Sequence, residues 1–466
     1  MDLNLVSTPA LWWITLLLTM IFNSPIVLIL VLLFFAMYDR LKSNRLNLLV
    51  LFNFLFLFVI GIESFLISLT YFIFMNILFY LQKRFNNKKT LLLLIGASVV
   101  IFIYLKSFLN PSFSQTLFST INNGSIGLSF ILFAGVATLI EICRNPSLSI
   151  NVKRTSSYLL FFPLVLAGPF VKPLILLEQL DNLGGSSLAN KPEGFFLIGR
   201  GLFKKTISTF IHVMLINSNV AVGTAWETIA FSVALMIYLF ADFSGYSDLA
   251  CGLCALCGIR IEPNFNLPYL ATSPTEFWRR WHISLNVWLR DYFYLPFCKT
   301  TIGFTKNRKS LIAIASKSYI ILIMLLIGLW HSIRPLSLAY GAVAALPLVI
   351  GTDFKLSNLK FGLAISRILT LVYIVIIQVI LVAPDFAFLE KYFKAWLNWN
   401  WTANSNFGSR ICFLILCLIL CQAFDWSECF LRLSKNRGLL IFTISLFILV
   451  FLIFGRNGGA FVYSNL

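Results

Sequence analysis

Residues 40–89 read RLKSNRLNLLVLFNFLFLFVIGIESFLISLTYFIFMNILFYLQKRFNNKK. Two apolar runs, 46–62 and 65–81, flank the single acidic residue Glu63. Arg40, Lys42 and Arg45 precede the pair, and Lys83, Arg84, Lys88 and Lys89 follow it. A bilayer core about 30 Å thick takes roughly 20 residues rising 1.5 Å each, so each run is long enough to cross with its flanks. Backbone in lipid must satisfy its own hydrogen bonds, so runs this apolar are helices. The stretch therefore predicts a helical hairpin through a membrane, with both basic ends on one side.

The pattern extends outward in both directions. Further apolar runs lie at 11–36, 91–108 and 439–454, and about 11 to 13 transmembrane or re-entrant segments are expected in all. Charged residues are only 12% of the chain, where soluble domains carry about 25%. The expected fold class is all-α, a polytopic integral membrane protein. Short alternating strands of a porin-like barrel do not appear. The first run lacks a basic segment before it and a small-residue cleavage site after it, so it reads as a retained helix.

A net charge of +18 raises the question of nucleic acid, and its placement answers it. Basic residues recur between alternate spans, next at Arg144, Lys153 and Arg154, whereas the connections between them are acidic at Glu63 or neutral over 110–124. That is the positive-inside pattern. It predicts a multi-pass protein of the cytoplasmic (inner) membrane with an extracytoplasmic N-terminus, whose basic loops face lipid headgroups and no nucleic acid. No linker separates soluble parts, so residues 1–466 read as one membrane-embedded domain. N-terminal helices occupy 1–190, a polar core segment 193–347, and C-terminal helices 348–466.

Phosphate-loop, zinc-protease and serine-hydrolase signatures are missing. Cys251, Cys254 and Cys257 are spaced like part of an iron–sulfur motif. No fourth cysteine or proline follows, and small residues at this spacing suit helix packing, so no metal is expected. Residues 161–173, FFPLVLAGPFVKP, interrupt an apolar run with prolines and glycine. Irregular backbone at membrane depth is tolerated only where protein buries it or it lines a cavity. Residues 385–401 read as an amphipathic interfacial segment.

The candidate chemistry centres on three histidines. His331 ends the apolar run 320–330. Its neutral imidazole suits proton abstraction, although a buried structural histidine or one at a wet helix end reads equally from spacing. His282 closes Phe277-Trp278-Arg279-Arg280-Trp281-His282. On a continuous helix Trp278, Trp281 and His282 share a face, with Arg279 and Arg280 pointing away towards phosphates or headgroups. An interfacial tryptophan–arginine belt is the plainer alternative. His212 lacks polar companions and reads as a core histidine. Asp242, Ser244, Tyr246 and Asp248 adjoin the apolar run 231–240 and must face protein or a cavity. Either aspartate can orient a histidine or bind Arg279, or both can belong to a structural network.

Together these segments resemble the membrane-bound O-acyltransferase family, in particular its bacterial branch. The resemblance is strongest over 240–296, FADFSGYSDLACGLCALCGIRIEPNFNLPYLATSPTEFWRRWHISLNVWLRDYFYLP. It continues in IGLWH at 327–331, in 159–173, in GLFKK at 201–205, and in Phe22-Asn23-Ser24-Pro25. The resemblance implies helices around a central tunnel, entered by a thioester donor from the cytoplasm and by a hydroxyl acceptor from outside. His331 matches the family's active-site histidine and His282 its second histidine. Trp278, Arg279, Arg280, Trp281, Asp242, Ser244, Tyr246 and Trp330 become candidate substrate-binding residues.

The implied reaction moves an acyl group, acetyl by preference, to a cell-surface polysaccharide or similar acceptor. Acetyl-CoA or an acyl carrier protein would be the co-substrate, with no tightly bound cofactor, and a periplasmic SGNH-type transferase is a candidate partner. Three departures from the family pattern stand out: Ser332 in place of a glycine, no glycine pair within 297–301, and a C-terminus that diverges after Tyr463. In some relatives a tyrosine at that place is a candidate acyl relay. The competing readings are a transporter or flippase for a lipid-linked glycan, and an inactive scaffold for a periplasmic transferase.

Overall fold

The computed structural model describes residues 25–108, 127–166, 168–183, 191–217, 224–304, 308–332, 334–351, 361–397, 407–423 and 437–454. Much of the first apolar run, the 22–25 motif up to Ser24, the neutral connection at 110–124 and Tyr463 lie outside these residues. All regular elements among the described residues are helical.

The opening hairpin is α2 (Arg45–Ile60) and α3 (Ile62–Phe85), preceded by α1 (Pro25–Arg40) and followed by α4 (Lys88–Phe108). The break between α2 and α3 falls at Gly61, beside Glu63. Six helices among the described residues are long and apolar enough to cross a membrane: Lys42–Ile60, Ile62–Phe85, Lys88–Leu105, Ala225–Leu256, Lys309–His331 and Gly362–Val382. The protein is thus a multi-pass membrane protein. Other apolar segments form shorter helices, such as Pro335–Ile350, that depend on their neighbours for cover.

Next come α5 (Leu128–Arg144), α6 (Val152–Leu159), α7 (Pro173–Asp181), α8 (Lys191–Asn217) and α9 (Ala225–Leu256). Helix α9 has 32 residues, about 48 Å of helix, and starts at a Thr224–Glu227 capping box. Its most apolar window is 78% buried, against 17% for α4, so α9 is the central post and α4 faces outward.

Helices α8 and α9 touch at backbone distance. A Cβ added at Gly201 would lie 2.6 Å from the carbonyl oxygen of Gly245, and one at Gly252 would lie 2.8 Å from that of Gly194. Small residues at a helix crossing allow this approach. It brings the charges of the two helices together. Asp248 accepts from Arg200 at 2.8 and 2.5 Å and pairs with fully buried Lys204 at 2.9 Å. Asp242 pairs with Lys205 and accepts from Ser208 Oγ. Both aspartates therefore serve a structural lattice with α8. Of the readings the sequence left open for these aspartates, these contacts form the structural network, with Arg200 and Lys204 on Asp248 and Lys205 and Ser208 on Asp242.

The second half contains α10 (Pro274–Arg280), α11 (Ile283–Leu289), a π-helical turn (Arg290–Tyr294), α12 (Leu295–Phe304), α13 (Lys309–His331) and α14 (Pro335–Ile350). It closes with α15 (Gly362–Val382), α16 (Phe386–Leu397), α17 (Phe407–Ala423) and α18 (Arg437–Phe454). Helix α16 is the described part of the amphipathic segment. It buries Phe388, Leu389, Tyr392 and Ala395, and Tyr392 hydrogen-bonds Ser232 of α9 at 2.6 Å.

Candidate active site

The segment holding His282 is not one helix. Ser273 caps α10 by accepting from the Glu276 amide, and Glu276 reaches back to the Thr272 amide at 2.7 Å. Helix α10 then ends at Arg280, Trp281 is extended, and His282 adopts a left-handed conformation at φ 49° and ψ 51°. A non-glycine residue there is uncommon, and such conformations cluster at functional sites. Asn286 Nδ2 fills the carbonyls left open by the break, donating to Trp278 O and Trp281 O. The shared face drawn on a continuous helix is therefore corrected, because the chain reverses its hand at the histidine.

The break distributes the predicted residues differently. Trp278 donates its indole N–H to Tyr373 of α15 at 2.8 Å, and Tyr373 donates to Ala344 O. Trp281 packs among Phe240, Phe265, Tyr269 and Phe277. Arg280 is paired with Glu276, whereas Arg279 is exposed. Tyr246 and Ser244 are buried on α9, and Ser244 Oγ has no hydrogen-bond partner among the described residues. His212 is buried against Tyr238, as the sequence predicts for a core histidine. Cys251, Cys254 and Cys257 are buried at the end of α9.

His282 and His331, distant in sequence, meet in one aromatic enclosure. Phe170, from the irregular segment, stacks on His282 with centroids 5.8 Å apart, and Phe243 meets the ring edge-on at 4.6 Å. Phe170 also touches Trp330, which adjoins His331 at 4.9 Å. Phe133 closes the wall against Trp288 and Trp330, and Tyr340 lies edge-on to His331 at 5.8 Å. His331 is placed by the tight α13–α14 hairpin, in which a Cβ at Gly328 would lie 2.0 Å from Ser337 O. Both imidazoles are buried. Burial first, then the neighbouring His331, lowers the pKa of His282, which lies in the helix break outside the spanning helices.

A polar clamp that sequence reasoning missed holds His282. Asn264 Oδ1 lies 3.3 Å from His282 Nδ1 and accepts from the Ser284 amide at 3.0 Å and Ser284 Oγ at 2.8 Å. Asn264 Nδ2 donates to Ser247 Oγ of α9 at 3.2 Å, and Ser284 Oγ accepts from the Phe170 amide at 3.0 Å. The irregular segment is also tied lower down, where Lys172 pairs with Asp291. Burial opposes ionisation of Asp291, but hydrogen bonds from Arg290 and Lys172 outweigh it and lower its pKa.

Such an enclosure suits the handling of a proton in a place sheltered from water. Residues 10–352 match the profile of the membrane-bound O-acyltransferase family, and the chain belongs to that family. It is 33% identical over 326 residues to a probable alginate O-acetylase, AlgI, of Pseudomonas syringae pv. tomato, covering 67% of this chain and 60% of that protein. A teichoic acid D-alanyltransferase of Bacillus subtilis is 31% identical over 270 residues, covering 54% of this chain and 65% of that one. A peptidoglycan O-acetyltransferase of Helicobacter pylori is 30% identical over 217 residues, covering 45% and 39%. The chain thus spans less than two thirds of the length of each of these relatives.

Proposed function

We propose that the protein transfers an acyl group, acetyl by preference, from a cytoplasmic thioester to a hydroxyl of a cell-surface polysaccharide or similar extracytoplasmic acceptor. The observation that carries this reading is the meeting of His282 and His331 inside one aromatic enclosure of a chain of this family. The names of the relatives, which act on alginate, teichoic acid or peptidoglycan, support the acceptor class.

In the proposed reaction His331 takes the proton of the acceptor hydroxyl as its oxygen attacks the thioester carbonyl. The C–O bond forms, the C–S bond breaks, and the proton passes from the imidazolium to the departing thiolate. Base assistance of this kind is worth roughly 10² to 10⁴ in rate. His282 either holds a substrate or donates to the developing oxyanion. Exposed Arg279 faces the donor phosphates, whereas Arg280 acts through its pair with Glu276. The donor, acetyl-CoA or a carrier protein, enters from the cytoplasm through a central tunnel, and the acceptor comes from the opposite face. The protein sits in the cytoplasmic membrane with its N-terminus outside, and an SGNH-type transferase completes delivery.

The test is transfer of isotope-labelled acetyl from acetyl-CoA by membranes holding the wild type, His331→Ala or His282→Ala at equal protein level. Both variants are expected to lose transfer by on the order of 10² or more. Transfer left intact in His331→Ala would remove the base from this scheme. Wild-type movement of unmodified glycan without thioester consumption would instead favour a transporter.

A further inference from the structure

We propose that Asn264 is a positioning residue that fixes His282 in the neutral tautomer with its proton on Nδ1, leaving the Nε2 lone pair to accept a hydrogen bond from substrate. The argument is a count of donors and acceptors. The Ser284 backbone N–H can only donate, so the Asn264 atom 3.0 Å from it is the amide oxygen. The other end of the amide must then be NH₂, which matches its place 3.2 Å from Ser247 Oγ.

The Ser284 hydroxyl has one proton. It accepts from the Phe170 amide and gives that proton to Asn264 Oδ1. The same oxygen faces His282 Nδ1 at 3.3 Å, and an amide oxygen can only accept. Nδ1 therefore carries the hydrogen, and in a neutral ring Nε2 does not. The other tautomer would set a ring lone pair against an oxygen lone pair in a buried site.

The surroundings prevent the ring from escaping this choice. Phe170 lies flat on one face at an interplanar angle of 14°, and Phe243 stands edge-on at 84°. Asn264 also accepts at its backbone oxygen from the Ile283 amide at 2.9 Å, which holds the left-handed turn. Asn264 thus fixes the position of His282 through its backbone and the protonation pattern of the ring through its side chain. Burial also disfavours the doubly protonated ring.

The inference deepens the acyl-transfer reading and rests on it for the meaning of Nε2. Of the two roles open to His282, a neutral ring with Nδ1–H cannot donate from Nε2 to an oxyanion. It serves as an acceptor towards a substrate O–H or N–H. This parallels the tautomer-setting acid of a serine-protease triad, with a neutral amide in its place.

The full chain has three histidines, so ¹⁵N-histidine spectra in membranes are tractable, and loss of one signal set in His282→Gln assigns its ring. The expected wild-type spectrum shows His282 neutral with the proton on Nδ1. Asn264→Asp, which keeps an oxygen opposite Nδ1, retains this pattern and most of the transfer. Asn264→Leu shifts the proton to Nε2 and lowers kcat by on the order of 10² to 10⁴. A wild-type His282 protonated on Nε2 overturns the proposal whether or not any variant folds. Loss of transfer in Asn264→Leu with the tautomer unchanged would leave Asn264 a structural residue only. Failure of wild-type transfer with the Nδ1–H tautomer present would instead overturn the acyl-transfer reading and leave the tautomer assignment standing.

Discussion

At the residue scale, two histidines were visible as buried imidazoles in an apolar chain, but the means of holding them were not. Nothing in Trp281-His282-Ile283 signals a left-handed residue, because glycine or asparagine is the usual mark of that conformation. The helical reading of 277–282 followed local spacing and failed because Asn264 and Asn286, each outside it, supply the hydrogen bonds that the break needs. The lowered pKa of His282 gives a prediction with a definite sign. Burial keeps the His282 ring neutral as pH falls through the ordinary value of 6.5, so its own titration should lie below 6.5. A pH series of ¹⁵N-histidine spectra checks this, and a His282 midpoint at or above that value contradicts it. Trp278→Phe removes the bond to Tyr373 and part of a buried ring. It should cost about 1 kcal/mol or more in thermal stability in detergent, because one net hydrogen bond is worth about that much and the lost volume adds to it.

At the scale of elements, the apolar runs were easily read, because lipid imposes a simple rule on composition. The runs 46–62, 65–81 and 91–108 correspond to α2, α3 and α4. The α8–α9 pair was legible only in part. Asp242 and Asp248 had to face protein, yet their partners Arg200, Lys204 and Lys205 became evident only when the glycine contacts fixed the crossing of the two helices. Asp248→Ala leaves Arg200 and Lys204 without their carboxylate. A broken buried pair costs about 3–5 kcal/mol, so this variant should lose much of its folded yield, as read by size-exclusion profile and melting temperature. Gly201→Val inserts a branched side chain where even one carbon meets backbone at 2.6 Å, and should cost about 1–3 kcal/mol or more by the same measurements.

At the scale of the whole molecule, the basic loops set the expected orientation. A cysteine placed at Asn87, in a background lacking the nine native cysteines, should react with an impermeant thiol reagent only after the cytoplasmic side is opened. One placed at Gly61 should react from the outer face. The reverse pattern would invert the proposed directions of donor and acceptor.

The charge lattice between α8 and α9 has a further consequence, for how the chain enters the bilayer. A translocon presents helices to lipid in order, and each Arg or Lys at the centre of a lone helix costs about 2.5–3.5 kcal/mol on insertion scales. Helix α8 carries Arg200, Lys204 and Lys205, whereas the aspartates that neutralise them are on α9, which emerges later. Helix α8 is not among the six described helices apolar enough to cross a membrane, so its entry into lipid is expected to depend on α9. Nascent chains stopped before residue 225 should leave α8 extractable at alkaline pH, and chains extended past residue 256 should anchor it. For this helix, commitment to the membrane is a decision made by two segments together.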